Sequence, residues 1–216
     1  MRTLTQCGGG LQSLNGHVYV TGKRVKLGFM KSLTALFLVF VCTFAISQES
    51  KWTTLFDGKM LTGWESTSDA NWGVEDGTIV VDEGEGGFLL HKDTYKNFEL
   101  SVEFKAAKGT NSGVFLNTMP KPKNLTEDCY ELNIAPPDNP FPTGSLVARA
   151  KVEGAGESDE WRKFEVRVEN GRVIVKLDGR QVVDYQAETP SRGNRIGLQK
   201  NSGWVAFRNI NVRKLP

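Results

Sequence analysis

The feature that most constrains the fold is a period of two in the hydrophobic pattern, which recurs along the chain from Trp52 onward. In residues 98–105 every second residue is apolar (Phe, Leu, Val, Phe), and a similar alternation follows in residues 161–169. The side chains of a β-strand point alternately to its two faces, so each segment predicts a strand with one apolar and one polar face. No stretch of this part of the sequence shows a sustained helical period.

Tight turns separate the predicted strands. Asp76-Gly77, Asn170-Gly171 and Asp178-Gly179 each stand between two short apolar runs. Such dipeptides tolerate the positive φ angles of two-residue hairpin turns. Further strands are predicted directly after Gly87 and over residues 144–150. A dozen or so short strands, each with one apolar face, predict an all-β fold in which two antiparallel sheets pack face to face, rather than a barrel with a wet interior.

The first 47 residues are predicted to lie outside the folded domain. Residues 30–47 contain one basic residue, an apolar run and a small-residue ending, as in an export signal, and the run is shorter than the roughly 20 residues of a membrane span. We expect cleavage after Ser47 and a secreted or periplasmic protein. Lipoprotein anchoring at Cys42 is less favoured, because Val41 stands where a small residue is expected. Residues 1–29 are interpreted as a disordered start-site extension.

Composition narrows the function of residues 48–216. Residues 1–47 hold five of the 27 Lys and Arg residues and none of the 25 Asp and Glu residues, so the remainder carries a net charge of −3. Bulk charge therefore does not favour nucleic acid or an anionic membrane as a partner. Cys129 is the single cysteine left, so a disulfide within this part is excluded. Its length suits one domain with a sizeable core.

The stretch from Cys129 to Val147 is the strongest candidate for a site. Glu131 and Asn133 alternate with apolar residues, so both are predicted to point away from the core. Four prolines around Asp138 then end the strand and predict a stiff polar loop over its end. Two interpretations are open from the pattern alone: Glu131 is part of a binding site beneath this loop, or it is a solvated residue on an exposed sheet face.

The ordered motifs of residues 51–215 resemble those of the 3-keto-disaccharide hydrolase family, also described as 3-keto-glucoside lyase/hydratase. The similar pieces are LFDGKMLTGW, WGVEDGTIVV, YKNFELSVEFK, NSGVFL, YELNI, TGSLV, EWRKFEVRVENGRVIVKLDG, IGLQ and VAFRNINV. The resemblance implies a concanavalin/laminin-G-like jelly roll that cleaves 3-keto-glycosides. A ketone at C3 acidifies the C2 hydrogen, so a base can remove it, the C1 substituent can leave by β-elimination, and water can then add.

The resemblance also implies roles for individual residues. Glu131 stands at the glutamate of the family's tyrosine-glutamate strand and is the candidate base or metal ligand, with Asp138 as a second catalytic candidate. The implied substrate contacts are Asn111, Ser112, Gln199 and Arg208, and the strand pattern adds Asn133 to them. Each alternative is structural: Arg208 can pair with a nearby carboxylate, and the amides can cap loops.

Two departures from the family pattern bear on the chemistry. Cys129 stands where members often have a glycine, and Lys200 to Gly203 stand where they often have a histidine. Only His91 then remains as a histidine ligand or base, and it is predicted to lie in a loop. The lack of a His or Cys cluster argues against zinc. A hard divalent cation such as calcium, held by Glu131 and Asp138, stays open.

A second class of function is also open. Jelly-roll folds serve as lectins as well as enzymes, so the chain could be a non-catalytic carbohydrate-binding module. Several aromatic residues could stack on sugar rings, although core packing is the favoured role for most of them; they are Trp64, Trp72, Trp161, Trp204 and Tyr185. A purely structural domain of an envelope complex is a third, weaker alternative. A serine hydrolase is disfavoured, since no nucleophile elbow is present.

Overall fold

The structure is a computed structural model that describes residues 50–153 and 156–216. The predicted export signal and the extension before it lie outside these residues. All the regular secondary structure of the described part is β-strand. This part holds no helix long and apolar enough to cross a membrane. The thirteen strands are β1 (Thr53–Thr54), β2 (Trp64–Ser66), β3 (Gly73–Glu75), β4 (Thr78–Val81), β5 (Gly87–His91), β6 (Phe98–Ala106), β7 (Asn111–Thr118), β8 (Tyr130–Ile134), β9 (Arg162–Glu169), β10 (Arg172–Leu177), β11 (Arg180–Gln186), β12 (Arg195–Ser202) and β13 (Val205–Lys214).

These strands form two antiparallel sheets, which confirms the predicted β-sandwich. One sheet has eight strands in the order β11-β10-β9-β6-β13-β4-β3, with β1 also paired to β13. The other has five strands in the order β2-β5-β12-β7-β8. Most neighbours in a sheet come from distant parts of the sequence, for example β7 beside β12. Each sheet is therefore assembled only when the whole chain folds.

The core lies between the sheets and is built from the apolar faces that the alternation predicted. Along β6 the buried residues are Phe98, Leu100, Val102 and Phe104, and the residues between them are only partly buried. Phe104 stacks on Phe164 of β9 with ring centroids 4.6 Å apart. Each such fully buried side chain contributes about 1.5–3 kcal/mol to stability, so the sheets pack stably without a disulfide.

The hairpin turns have the geometry that their sequences predict. Asp76, Asn170 and Asp178 have φ angles of 45°, 49° and 51°, and each is followed by a glycine with positive φ. Two successive residues with positive φ form the turn whose twist matches that of the flanking strands. These three turns join β3 to β4, β9 to β10 and β10 to β11.

Residues 144–150 do not form the predicted strand. Leu146 makes isolated bridges to Leu132 and Ala150, and Ala148 has a φ of 60°, so the chain turns back before a ladder can continue. The segment still hydrogen-bonds to the outer edge of β8. The N–H of Val147 donates to the carbonyl of Glu131, and the N–H of Asn133 donates to the carbonyl of Ser145, both at 2.9 Å. It therefore holds β8 in place.

The prediction that His91 lies in a loop was also wrong. His91 is the last residue of β5 and is buried on the core side of the sheet, with its ring edge-on to Trp64 at 5.1 Å. Its Nδ1 accepts the N–H of Asp93 at 3.2 Å. Burial lowers the pKa of His91, which favours the neutral imidazole. Because the His91 ring packs on Trp64 on the core side, the strand continues as far as His91.

Candidate functional site

The outer face of the five-stranded sheet carries the candidate site. Strand register places its side chains in two rows that run across the strands. One row consists of Phe88, Gln199, Gly113 and Asn133, and the next consists of Leu90, Gly197, Phe115 and Glu131. Leu90 and Phe115 are buried but lie outside the hydrophobic core cluster between the sheets. The outer face is thus part apolar and part polar, unlike an ordinary solvated sheet face.

Glu131 is a buried carboxylate on this face, with 7% of its surface exposed. Burial raises its pKa above the ordinary glutamate value, while a hydrogen bond with the Gln199 side chain acts in the opposite direction. In the described part of the chain no Lys or Arg side chain forms an ion pair with Glu131. Glu131 is therefore not a solvated residue on an exposed sheet face, which was the second interpretation, and its part in a binding site stays a prediction.

Gly113 is the gap that lets Gln199 reach Glu131. These two residues lie on β12 and β8, with β7 between them. A Cβ atom on Gly113 would lie 3.1 Å from the carbonyl oxygen of Leu132, 3.4 Å from Gln199 Oε1 and 3.6 Å from Glu131 Cγ. Real Cβ contacts are rarely as short as the first of these. A side chain at this position would thus crowd the β8 backbone at Leu132 and would touch both the amide and the carboxylate.

Two buried acceptor atoms beside Glu131 lack a partner. Asn133 Oδ1 and Gln199 Oε1 have no hydrogen-bond partner within the described residues. The Asn133 amide is oriented by its Nδ2, which donates to the carbonyl of Phe141 in the proline-rich loop. Leaving a buried polar atom unpaired costs about 1–3 kcal/mol. Such atoms are expected where a ligand completes the hydrogen bonds.

Asn111 adds unused donors to the same face. It begins β7, two residues before Gly113, so its side chain shares the face of Gly113 and Phe115. The Asn111 amide forms no hydrogen bond within the described residues. The site therefore combines one buried carboxylate, two free acceptor oxygens and one free amide. Phe88 and Phe115 form an edge-to-face pair, with centroids 4.6 Å apart, beside these polar groups.

Three other predicted site residues are not brought to this cluster. Ser112 faces the opposite side of β7 from Gly113. Its hydroxyl donates to the backbone carbonyl of Gln199 at 2.7 Å. Asp138 is exposed in the loop, and its side chain contacts no polar group of the described residues. Arg208 lies in the eight-stranded sheet, where it pairs with Glu103 at 2.7 Å and stacks over Trp161 at 4.0 Å. The predicted catalytic and substrate roles of these three residues stay predictions.

The structure also bears on the reactivity of Cys129 and on the residues available to bind a metal. Burial, reinforced by the charge of Glu131, raises the pKa of Cys129 to about 12, so its thiol stays protonated near neutral pH and is a poor nucleophile. Residues 50–153 and 156–216 contain no group of three or more His, Cys, Asp and Glu side chains that could hold a metal. Glu131 with the amide oxygens of Asn133 and Gln199 supplies fewer oxygens than the six to eight typical of calcium.

Most of the aromatic residues considered for sugar stacking pack inside the fold. Trp64 is buried, and its Nε1 donates to the Leu55 carbonyl at 2.8 Å. Trp72 and Tyr185 pack against the core, and Trp161 supports Arg208. The favoured core or structural role is thus seen for these four residues.

Comparison with known proteins identifies the family. The model of the 3-keto-alpha-glucoside-1,2-lyase-like domain matches residues 51–213. The chain belongs to this family. A 3-keto-disaccharide hydrolase from Bacteroides thetaiotaomicron is 28% identical over 170 residues, which cover 63% of this chain and 59% of that relative. The chain therefore spans less than two thirds of that relative's length.

Solved structures show the same fold. A candidate glycosyl hydrolase from Parabacteroides distasonis has a TM-score of 0.66 at 22% identity, with 76% of this chain and 94% of that chain covered. The carbohydrate-binding module CBM66 of Bacillus subtilis has a TM-score of 0.55 at 14% identity, with 70% and 96% covered. At these identities the likeness concerns the fold alone. It agrees with the predicted jelly-roll sandwich.

Sequence reasoning missed the gap at Gly113 and the apolar part of the outer face. Gly113 was visible within the Asn-Ser-Gly motif, but only the register shows which side chains it separates. Phe88, Leu90 and Phe115 belong to strands with apolar residues on both faces. That pattern was the signal that these strands lack a solvated face.

Proposed function

We propose that this protein is an enzyme that cleaves the glycosidic bond of 3-keto-glycosides by elimination and subsequent hydration. The observation that carries the proposal is Glu131, a buried carboxylate without a cationic partner on the outer face of the five-stranded sheet. A base with a raised pKa is matched to removing a carbon-bound proton near neutral pH. Membership of the family and the name of the Bacteroides relative support the substrate class.

In the proposed reaction Glu131 takes the C2 proton of the sugar. The C2–H electron pair forms an enolate with the C3 ketone, and the C1–oxygen bond then breaks to give a C1–C2 double bond. The leaving oxygen gains a proton, so charge and atoms balance. Water next adds its oxygen to C1 while a proton returns to C2, which gives net hydrolysis.

The neighbouring amides supply orientation and charge stabilisation. Gln199 donates to Glu131 and so limits the rise of its pKa, which keeps the carboxylate available as a base. The free Asn111 amide can donate to the oxygen that becomes negative in the enolate, and removing one such donor typically costs 10²–10³-fold in rate. Asn133 Oδ1 and Gln199 Oε1 can accept sugar hydroxyls.

The deciding experiment is a reaction with a chromogenic 3-keto-glucoside in deuterated water, followed by NMR. We expect release of the chromophore and deuterium at C2 of the sugar product, because the proton that returns to C2 comes from a group in exchange with solvent. Release without deuterium at C2 would contradict elimination and indicate direct hydrolysis. Saturable binding without release would support the non-catalytic carbohydrate-binding module instead.

We also propose that the protein is exported, with residues 30–47 as the signal. The motif of a short apolar run followed by Ala45-Ile46-Ser47 supports this proposal. Sequencing the N-terminus of the protein recovered from a bacterial periplasm or culture medium should give Gln48 as the first residue. An intact N-terminus on a protein that stays in the cytoplasm would rule it out.

A further inference from the structure

A groove of about 640 Å³ crosses the outer face of the eight-stranded sheet, on the other sheet from Glu131. Strand register explains its position. One row across β10, β9, β6 and β13 consists of Lys176, Glu165, Ser101 and Asn211. Ser101 has the smallest side chain of this row, so the surface is lowest there. The volume lies within the range of about 300–1,000 Å³ that is usual for small-molecule sites.

Paired charges border the groove. Arg167 donates to Glu99 at 2.7 Å, and Arg213 pairs with Glu99 from the strand on its other side. Lys163 pairs with Glu165 at 3.2 Å. Three basic side chains (Lys163, Arg167 and Lys176) and two acidic ones (Glu99 and Glu165) line the groove, so its net charge is that of one cation and it presents neither a continuous cationic nor an anionic strip. This balance disfavours a nucleic acid or an acidic polymer as the ligand.

Unused polar groups line the floor and the β11 end of the groove. The Ser101 hydroxyl, the Gln181 amide and the Lys176 ammonium lie in the groove and form no side-chain hydrogen bond or ion pair within the described residues. Together they offer both donors and acceptors. Sugar hydroxyls also donate and accept, so a polyhydroxylated neutral ligand suits this set better than a simple ion does.

Trp52 lies at the β13 end. Its side chain is 47% exposed, and the Arg213 guanidinium lies 5.1 Å from its ring centroid. A ring supported in this way offers a large contact area at a low cost in conformational entropy. From β13 to β11 the groove spans four strand spacings of about 4.8 Å, or about 19 Å. This length fits a linear oligosaccharide better than a single sugar ring.

We propose that the groove binds a neutral linear oligosaccharide, with Trp52 stacked on a sugar ring and with Ser101 and Gln181 hydrogen-bonded to hydroxyls. This inference goes beyond the proposed cleavage reaction, which uses the other sheet. Because the two sites face away from each other, both can be occupied at once. The groove would then hold the protein on a glycan and raise the local concentration of sugar chain ends at the first site.

The test is an NMR titration of the full chain that follows the Trp52 indole N–H. The probes are linear neutral oligosaccharides of glucose, xylose and mannose. We expect at least one of them to shift this signal saturably. Ser101→Trp, which fills the groove floor, should weaken that binding at least ten-fold. Lys105→Trp is the matched control, because it adds the same ring on the same strand and face, outside the groove, and should bind as before.

A milder variant and a competitor make the test independent of folding and of turnover. Gln181→Ala should weaken binding several-fold, and an excess of 3-keto-glucoside should not displace the oligosaccharide. The inference would be overturned if no probe moved the Trp52 signal, if Ser101→Trp bound normally, or if the 3-keto-glucoside competed. Since the measurement needs no catalysis, its failure would leave the proposed cleavage untouched, and the reverse also holds.

Discussion

Two glutamates on the outer faces of the two sheets differ in what surrounds them. For Glu103 on β6, burial alone would raise the pKa, but the hydrogen bond and charge of Arg208 contribute to lowering it below the ordinary value. For Glu131 on β8, burial raises the pKa, and only the uncharged Gln199 opposes it. A carboxylate matched by a guanidinium is held ionised and stabilises the fold. One that is buried with only an amide partner is available for proton transfer.

Replacing Glu131 should lower the catalytic rate far more than the same replacement of Glu103 does. Glu131→Gln removes the proposed base while it keeps the shape of the side chain, so we expect kcat to fall about 10²–10⁴-fold. Steady-state release from a chromogenic 3-keto-glucoside measures the effect. The matched control is Glu103→Gln, which makes the same change on the other sheet and should leave kcat within about two-fold. Equal rates for Glu131→Gln and the unaltered protein would remove Glu131 from the mechanism.

Closing the gap at Gly113 tests whether Glu131 depends on Gln199. In Gly113→Ala the new Cβ would lie 3.1 Å from the Leu132 carbonyl oxygen, so β8, which carries Glu131, must shift by a few tenths of an ångström relative to Gln199. We expect kcat/KM to fall about ten-fold, which corresponds to about 1.4 kcal/mol of transition-state stabilisation. Gly156→Ala is the control, because a Cβ there has no neighbour within 4 Å. Similar kinetics for the two variants would argue against the role of the gap.

The pH dependence sharpens the comparison further. The rate should rise with pH through the raised pKa of Glu131, because the base acts in its deprotonated form. Gln199→Leu removes the hydrogen bond that lowers this pKa, so the rising limb of kcat/KM should move to higher pH. Gln186→Leu, at the end of β11, should leave the limb in place. A limb that moves to lower pH in Gln199→Leu would contradict this account.

The smallest effect is expected for the pair on the other sheet. Glu103 and Arg208 are partly exposed, so their coupling in a double-mutant cycle should be about 0.5–1 kcal/mol. Because the folded-state pKa of Glu103 is lowered, this stabilisation is present above the unfolded-state pKa and is lost as the pH falls through the folded-state value. Urea unfolding at several pH values measures it. Coupling that grows at acidic pH would have the wrong sign.

Glu131 should show the opposite sign in the same measurement. Its folded-state pKa is raised, so its contribution to stability is present below the unfolded-state pKa and is lost as the pH rises. In Glu131→Gln the side chain cannot ionise, so the variant does not lose stability as the pH rises. Near neutral pH it should be at least as stable as the unaltered protein. A variant that is less stable there would show that the charged form of Glu131 stabilises the fold.

The sequence by itself determined the class of fold, and it pointed to Glu131 as the candidate site residue. The alternation in β6 and β9 and the turns at Asp76, Asn170 and Asp178 are local properties, and each predicted its element. Glu131 was found because one strand shows its polar face directly before a proline-rich loop. Such features depend on neighbours in sequence, so they could be predicted without the tertiary structure.

Only the tertiary structure decided which residues join Glu131. Register brings Asn111, Gly113 and Gln199 to its side of the sheet and turns Ser112 away, although the motif names Asn111 and Ser112 together. It also places Arg208 on the other sheet and His91 on the core side. The physical reason is that pairing between distant strands is set by the packing of all their apolar faces at once, and a shift of one residue reverses which side chains face the site.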